Sequence, residues 1–173
     1  MKATGIVRRV DELGRLVIPK EIRRTMRLAE GTPLEIFTDR EGQIILKKYS
    51  PMMELGSFAK QYAESVAQTM NQKVAVSDRD QIIAVAGGGK RELLGKTISR
   101  QLEEMIINRE NSIQAGLDKK TIPLISGDED SYSAQAIYPI CCEGDCIGAV
   151  ILYSRENQTH FSETEYKAAA CAA

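Results

Sequence analysis

The chain has a single histidine, His160, and no Gly-x-Ser-x-Gly element. It also lacks Cys-x2-Cys pairs and any cluster of histidines or carboxylates at ligand spacing. Neither a nucleophile, base and orienting group nor a metal site can be assembled from such a set, so catalysis, metals and cofactors are not expected. Long hydrophobic runs are missing too: no window approaches the ~18 consecutive apolar residues of a membrane span. The N-terminal MKATGIVRRVDELG has no apolar stretch of the secretory type. A soluble cytoplasmic protein without membrane contact is therefore expected. Of the four cysteines, Cys141, Cys142 and Cys146 lie within one apolar β-like run and Cys171 stands apart. In a reducing compartment these are expected to be free thiols that pack. The sequon Asn157-Gln158-Thr159 is idle in that setting.

What is present is ordinary globular material: 173 residues, 43% hydrophobic and 27% charged, enough for one domain or two small ones. The net charge of −1 conceals an asymmetry. Residues 1–50 carry 11 Lys+Arg against 7 Asp+Glu, and residues 51–173 carry 12 against 17. Opposite electrostatics suggest two jobs, and the expected division is 1–50, a linker at 51–55, and 56–173.

The first part reads as short strands around one helix. Residues 6–10 and 16–18 are β-branched runs joined by Asp11-Glu12-Leu13-Gly14, which predicts a hairpin. Pro19 suits the first turn of a helix from Lys20 to about Leu28, closed by Gly31 and Pro33. A second hairpin is predicted over 34–38 and 43–48. These strands carry apolar side chains on both faces, which a unit this small cannot cover alone. The expected remedy is an obligate dimer with interleaved hairpins.

In the second part, Leu55, Phe58, Ala59, Tyr62, Ala63, Val66, Ala67 and Met70 follow helical spacing and predict a helix over 54–71. A hairpin over 73–77 and 82–86, a helix over 98–107 and strands over 121–125, 134–140 and 146–153 follow. Ser162-Glu163-Thr164-Glu165 is a capping box opening a final helix. That helix reaches Ala173 without a stop signal, so it should dock or continue. The fold class is α+β on a single antiparallel sheet. Gly87-Gly88-Gly89-Lys90 departs from a phosphate loop at Ala84 and Arg91, and from a dinucleotide fingerprint at Glu92. It is read as a flexible connection whose amides and Lys90 could meet an anion.

The sharpest functional signal is arginine. Arg8, Arg9 and Arg15 bracket one turn, and Arg23 and Arg24 lie on the helix that follows. Scattered cations usually mean a solvated face. Here the preference for Arg over Lys points instead to bidentate contact with phosphates and guanine edges. A dimer would double the set to about ten cations, enough for substantial counterion release on double-stranded DNA.

With these residues in place, the segment TGIVRRVDELGRLVIPKEIRR, Thr4 to Arg24, resembles the DNA-binding domain of the AbrB family of bacterial transition-state regulators. The resemblance covers nearly all of residues 2–49. It implies a swapped-hairpin dimer that contacts DNA through Arg8, Arg15, Arg23 and Arg24, with Arg9 where a basic residue is usual. Residues 54–173 are similar to a GAF domain. That likeness implies regulation or oligomerisation, a tetramer formed through helices at each end of the domain, and an unidentified small-molecule effector. No ligand residues carry over, and the Asn-Lys-Phe-Asp-Glu pattern of cyclic-nucleotide GAF domains is missing. The implied function is a sequence-selective regulator, activator and repressor, of sporulation genes, associated with the bacterial nucleoid. Two other readings compete: an antitoxin of a toxin–antitoxin pair, and a ligand-sensing module whose first domain only dimerises it.

Overall fold

Pro19 sets the course of the first part of the chain: its φ of −58° and ψ of 148° end extended backbone and open a helix. In the computed structural model, residues 4–115, 121–128, 132–156 and 161–173 are described; His160 and the sequon at 157–159 lie outside them. The chain divides into two compact units, Met1–Tyr49 and Ser50–Ala173.

In the first unit, helix α1 (Lys20–Thr25) is followed by an antiparallel hairpin of β1 (Leu34–Thr38) and β2 (Ile44–Lys48). The helix stops short of the expected Leu28. Arg27 takes a φ of 50°, its amide donates to the Arg24 carbonyl, and the Leu28 amide reaches back to Arg23 at 2.7 Å. This is a Schellman closure with arginine in the left-handed position that glycine usually fills, so Gly31 is not the stop.

The hairpin predicted over 6–10 and 16–18 forms only its turn. Asp11 and Arg15 pair through the backbone at 3.1 Å, but neither flanking segment is a strand. A strand needs a neighbour along its length, and among the described residues of this unit the only strand pairing is the one between β1 and β2. The side chains of the two flanking segments confirm the lack of cover: Val7 is 84% exposed and Val17 73%. Among the described residues of this unit no hydrophobic side chain is buried, and only Pro19 is.

The second unit opens with α2 (Pro51–Glu54), where a linker was expected; its Met52 is buried. Helix α3 (Gly56–Met70) ends at Asn71, left-handed at φ 51°, as the sequence predicts. Then come β3 (Lys73–Asp78), β4 (Ile82–Ala86), α4 (Lys90–Leu93), α5 (Arg100–Asn108), β5 (Ser112–Ala115), β6 (Ala134–Cys142), β7 (Asp145–Ser154) and α6 (Glu163–Ala172). The strands form one five-stranded antiparallel sheet in the order β4-β3-β7-β6-β5. Alternation along the strands feeds two cores. Val74, Val76, Val150 and Leu152 meet Ala59, Ala63 and Ala67 of α3 and Ala169 of α6. Ala75, Val85 and Ile151 meet Leu102 and Ile106 of α5 and Leu124.

The broad apolar face predicted for α3 is split. Its alanines bring the helix down onto the sheet, while Leu55, Phe58 and Tyr62 stay 49%, 61% and 37% exposed. Phe58 and Tyr62 stack on each other at 5.8 Å. The helix ends follow local chemistry: the Ser99 hydroxyl accepts from the Leu102 amide, and Ser162 and Glu165 form the reciprocal capping box. At Glu165, burial raises the carboxyl pKa but is outweighed by hydrogen bonds from Ser162, which leave it lowered.

Two further expectations are corrected. Residues 121–125 are not a strand; β5 takes the sheet edge instead. The Gln135 side-chain amide grips Ile122 from both sides, accepting from its N–H at 2.9 Å and donating to its carbonyl at 2.6 Å. One buried side chain thus replaces a neighbouring strand's ladder. Cys141 and Cys146, expected as free thiols, are joined by a disulfide because the β6–β7 register sets them directly opposite. Cys142 and Cys171 are free and exposed.

At Gly148 β7 passes too close to β3 for a side chain: a Cβ there would fall on the Ser77 carbonyl. Gly148→Ala should destabilise the protein by about 1–3 kcal/mol, the usual cost of overpacking, as read from urea denaturation. An unchanged midpoint would mean that β3 and β7 can separate freely.

Candidate nucleic-acid interface

The arginine-bearing turn is built by Asp11. Its Oδ1 accepts from the amides of Leu13 (3.0 Å) and Arg15 (2.7 Å), and its Oδ2 accepts from Arg15 Nε at 2.8 Å. Gly14, at φ 73°, supplies the left-handed step and donates its amide to the Asp11 carbonyl. The Asp11 carboxyl is held below its usual range, first by the Arg15 backbone N–H, then by the Arg15 side chain. Since the Arg15 side chain is 71% exposed, the Asp11 contact steers a guanidinium whose remaining N–H groups face solvent.

The same device recurs in the second hairpin. Asp39 Oδ1 accepts from the amides of Glu41 and Gln43, both at 2.9 Å, and Gly42 sits at φ 78°. The spacing Asp-x-x-Gly-x is therefore a local repeat, DELGR and DREGQ. Only the first copy ends in arginine. That repeat is the sequence signal for the turn, and the arginine closing its first copy is what gives Asp11 a guanidinium to position.

All five arginines singled out from the sequence are exposed. Arg8 and Arg9 lie on the segment entering the turn, Arg15 leaves it, and Arg23 and Arg24 occupy the last turn of α1. Arg24 also lines, with Lys20, Glu21 and Thr25, a depression of about 410 Å³. In β1 and β2, the Lys47 ammonium sits 4.6 Å above the Phe37 ring.

The second unit has its own polar cluster, which sequence reading did not find. Arg155 Nη1 pairs with Glu92 at 2.8 Å, and Nη2 reaches the Tyr132 hydroxyl at 3.2 Å and Asp128 at 3.7 Å. The Tyr132 hydroxyl donates to Asp128 at 2.6 Å, and that of Tyr153 donates to the Gly88 carbonyl at 2.9 Å. Burial pushes both phenols up, Tyr153 to about 12. The two rings meet edge to face at 5.7 Å. This network ties the end of β7 to α4 and to the 121–128 segment, and it requires Gly89, where a Cβ would strike the Tyr153 hydroxyl. The glycine loop thus has a packing role. Among the described residues, no group of His, Cys, Asp and Glu is arranged to hold a metal, and no helix is long and apolar enough to cross a membrane.

Comparison with known proteins gives these features a context. Residues 54–173 match the family described as stage V sporulation protein T C-terminal, transcription factor, and residues 7–53 match the family described as antidote-toxin recognition MazE, bacterial antitoxin. Stage V sporulation protein T of Bacillus subtilis is 49% identical over all 173 residues, 100% of this chain and 95% of that protein. The transition state regulatory protein AbrB of the same organism is 66% identical over 53 residues, 31% of this chain and 54% of that protein. A GAF domain from an Acinetobacter phosphoenolpyruvate-protein phosphotransferase shares the fold at a TM-score of 0.56, with 13% identity over 73% of this chain and 79% of that one. An AbrB-like first unit, a GAF-like second unit and similarity along the whole length lead to one assignment: the chain belongs to the stage V sporulation protein T family of transcription factors.

Proposed function

We propose that the first unit binds double-stranded DNA as a swapped-hairpin dimer, through Arg8, Arg9, Arg15, Arg23 and Arg24. The observation that carries this reading is the Arg15 guanidinium, exposed yet fixed by the Asp11 carboxylate on a unit whose described residues include no buried hydrophobic side chain other than Pro19. Exposed Val7, Val10, Leu16 and Val17 supply the apolar surface that a second chain would cover. Doubling the chain doubles the cations. Phosphate contacts then position the protein, while base edges and DNA shape give selectivity. The work is binding rather than catalysis, in the bacterial cytoplasm and on the nucleoid.

The second unit, in this reading, assembles and regulates. The exposed Phe58 and Tyr62 of α3, with Leu55 at its N-cap, support pairing of helices between dimers, giving a tetramer. A small-molecule effector of unidentified chemistry would act through the GAF-like fold, and the regulated genes, activated or repressed, would be those of sporulation. The match of residues 7–53 to an antitoxin family favours a second reading, toxin neutralisation. Against it, the residues that follow fold as a five-stranded sheet domain, and the similarity to the Bacillus subtilis protein runs through both units. Co-purification of a small nuclease in equal amount would favour the antitoxin.

Arg15→Ala and Arg23→Ala should each weaken DNA binding by about thirty-fold or more, because each removes two guanidiniums worth about 1–3 kcal/mol apiece. Gel shifts near physiological salt, with oligomeric state checked by light scattering, measure this; unchanged affinity removes these residues from the interface. Asp11→Asn gives a sharper test. It deletes a negative charge from the proposed DNA-facing surface, so simple electrostatics predicts tighter binding. If Asp11 aims Arg15, binding should instead weaken several-fold. A gain in affinity would show that Asp11 only repels phosphate.

A further inference from the structure

Cys141 and Cys146 are cross-strand partners at the turn end of the β6–β7 hairpin, and their sulfurs are bonded. The two are unequal. Cys146 is 3% exposed within the core beside α5, whereas Cys141 is exposed, as is the adjacent free Cys142. The hairpin has other means of keeping its shape. The strands pair continuously from Ala134↔Ser154 to Cys142↔Asp145, with one register shift at Ile140/Cys141, and Glu143 and Gly144 carry the turn at φ 51° and 89°. Arg79 Nε donates to the Cys146 carbonyl, Arg109 donates to the Gly144 carbonyl, and Arg79 lies 3.9 Å from Asp145.

A bond spanning a sequence separation of only 5 removes little chain entropy compared with one closing a long loop. The sulfurs can therefore part without the sheet coming apart. In a compartment kept reducing by small thiols, such a pair is transient rather than permanent.

We propose that Cys141–Cys146 is a reversible thiol–disulfide sensor whose reaction partners are low-molecular-weight thiols and their disulfides. In the reducing direction an external thiolate attacks the exposed Cys141 sulfur, the protein S–S bond breaks, and Cys146 leaves as a thiolate that takes up a proton. A second external thiolate attacks the external sulfur of the mixed disulfide and releases Cys141. Two protein thiols and one external disulfide result. Oxidation runs the same steps backwards, the external disulfide being reduced to two thiols. Cys142, which alternation sets on the opposite face of β6, stays a thiol in both states.

The inference takes its reducing compartment from the cytoplasmic reading above, but its test involves no DNA, so either can fail without the other. Full-length protein is equilibrated in glutathione buffers stepped from reduced to oxidised, quenched in acid and alkylated with N-ethylmaleimide. The peptide carrying residues 141–146 is then weighed. The labels on Cys141 and Cys146 should disappear together at a midpoint inside the buffer range, with Cys142 labelled throughout and the circular dichroism spectrum unchanged. Cys142→Ser should keep the transition. Cys141→Ser, at an exposed position, should abolish it while keeping the spectrum. Labels that persist in the most oxidising buffer would leave the pair as packing residues. A bond that survives the most reducing buffer would make it a permanent staple, and bonding through Cys142 or Cys171 instead would also overturn the proposal.

Discussion

The first unit has no interior of its own, and most of the functional reading depends on that constraint. Among its described residues every apolar side chain but that of Pro19 is exposed or half-buried, and the segments flanking the Asp11–Arg15 turn are not strands. Apolar β-branched side chains left in water are unfavourable, and covering them gains the hydrophobic term. A second copy of the chain is the proposed cover, and its arrival would place two arginine sets on one assembly. Stability and DNA recognition would then share a cause.

The second unit solves the same problem within one chain. Its sheet is covered on one face by α3 and α6 and on the other by α5 and the 121–128 segment, so the central strands can be apolar on both sides. Close approach is arranged by small residues: alanines where α3 meets the sheet, and Gly148 where β7 meets β3. Among the side chains left exposed, the stacked Phe58 and Tyr62 lie on the helix that the proposed function assigns to assembly.

Much of this was legible in the sequence because it is encoded locally. The Asn71 stop, the Ser162 capping box and the hairpins over β1–β2 and β3–β4 each depend on a few adjacent residues. Errors arose where a distant residue decided the outcome. Residues 121–125 looked like a strand until Gln135 took the place of its neighbour. Cys141 and Cys146 looked like two packing thiols until the strand register set them opposite. The arginines were legible as a set by their type and spacing. Asp11, which orients one of them, was not, because a turn-forming aspartate and a guanidinium-positioning aspartate read alike until side-chain geometry separates them.

The central claim is that one arginine face is shared between two chains on DNA. The salt dependence of operator affinity tests it most directly, because the slope of log K against log salt counts neutralised phosphates at about 0.9 per contact. If the face is shared, Arg15→Ala should lower that slope by about 2, since one substitution removes two contacts. A fall of about 1 would indicate a single chain on the DNA, and no change would contradict the account.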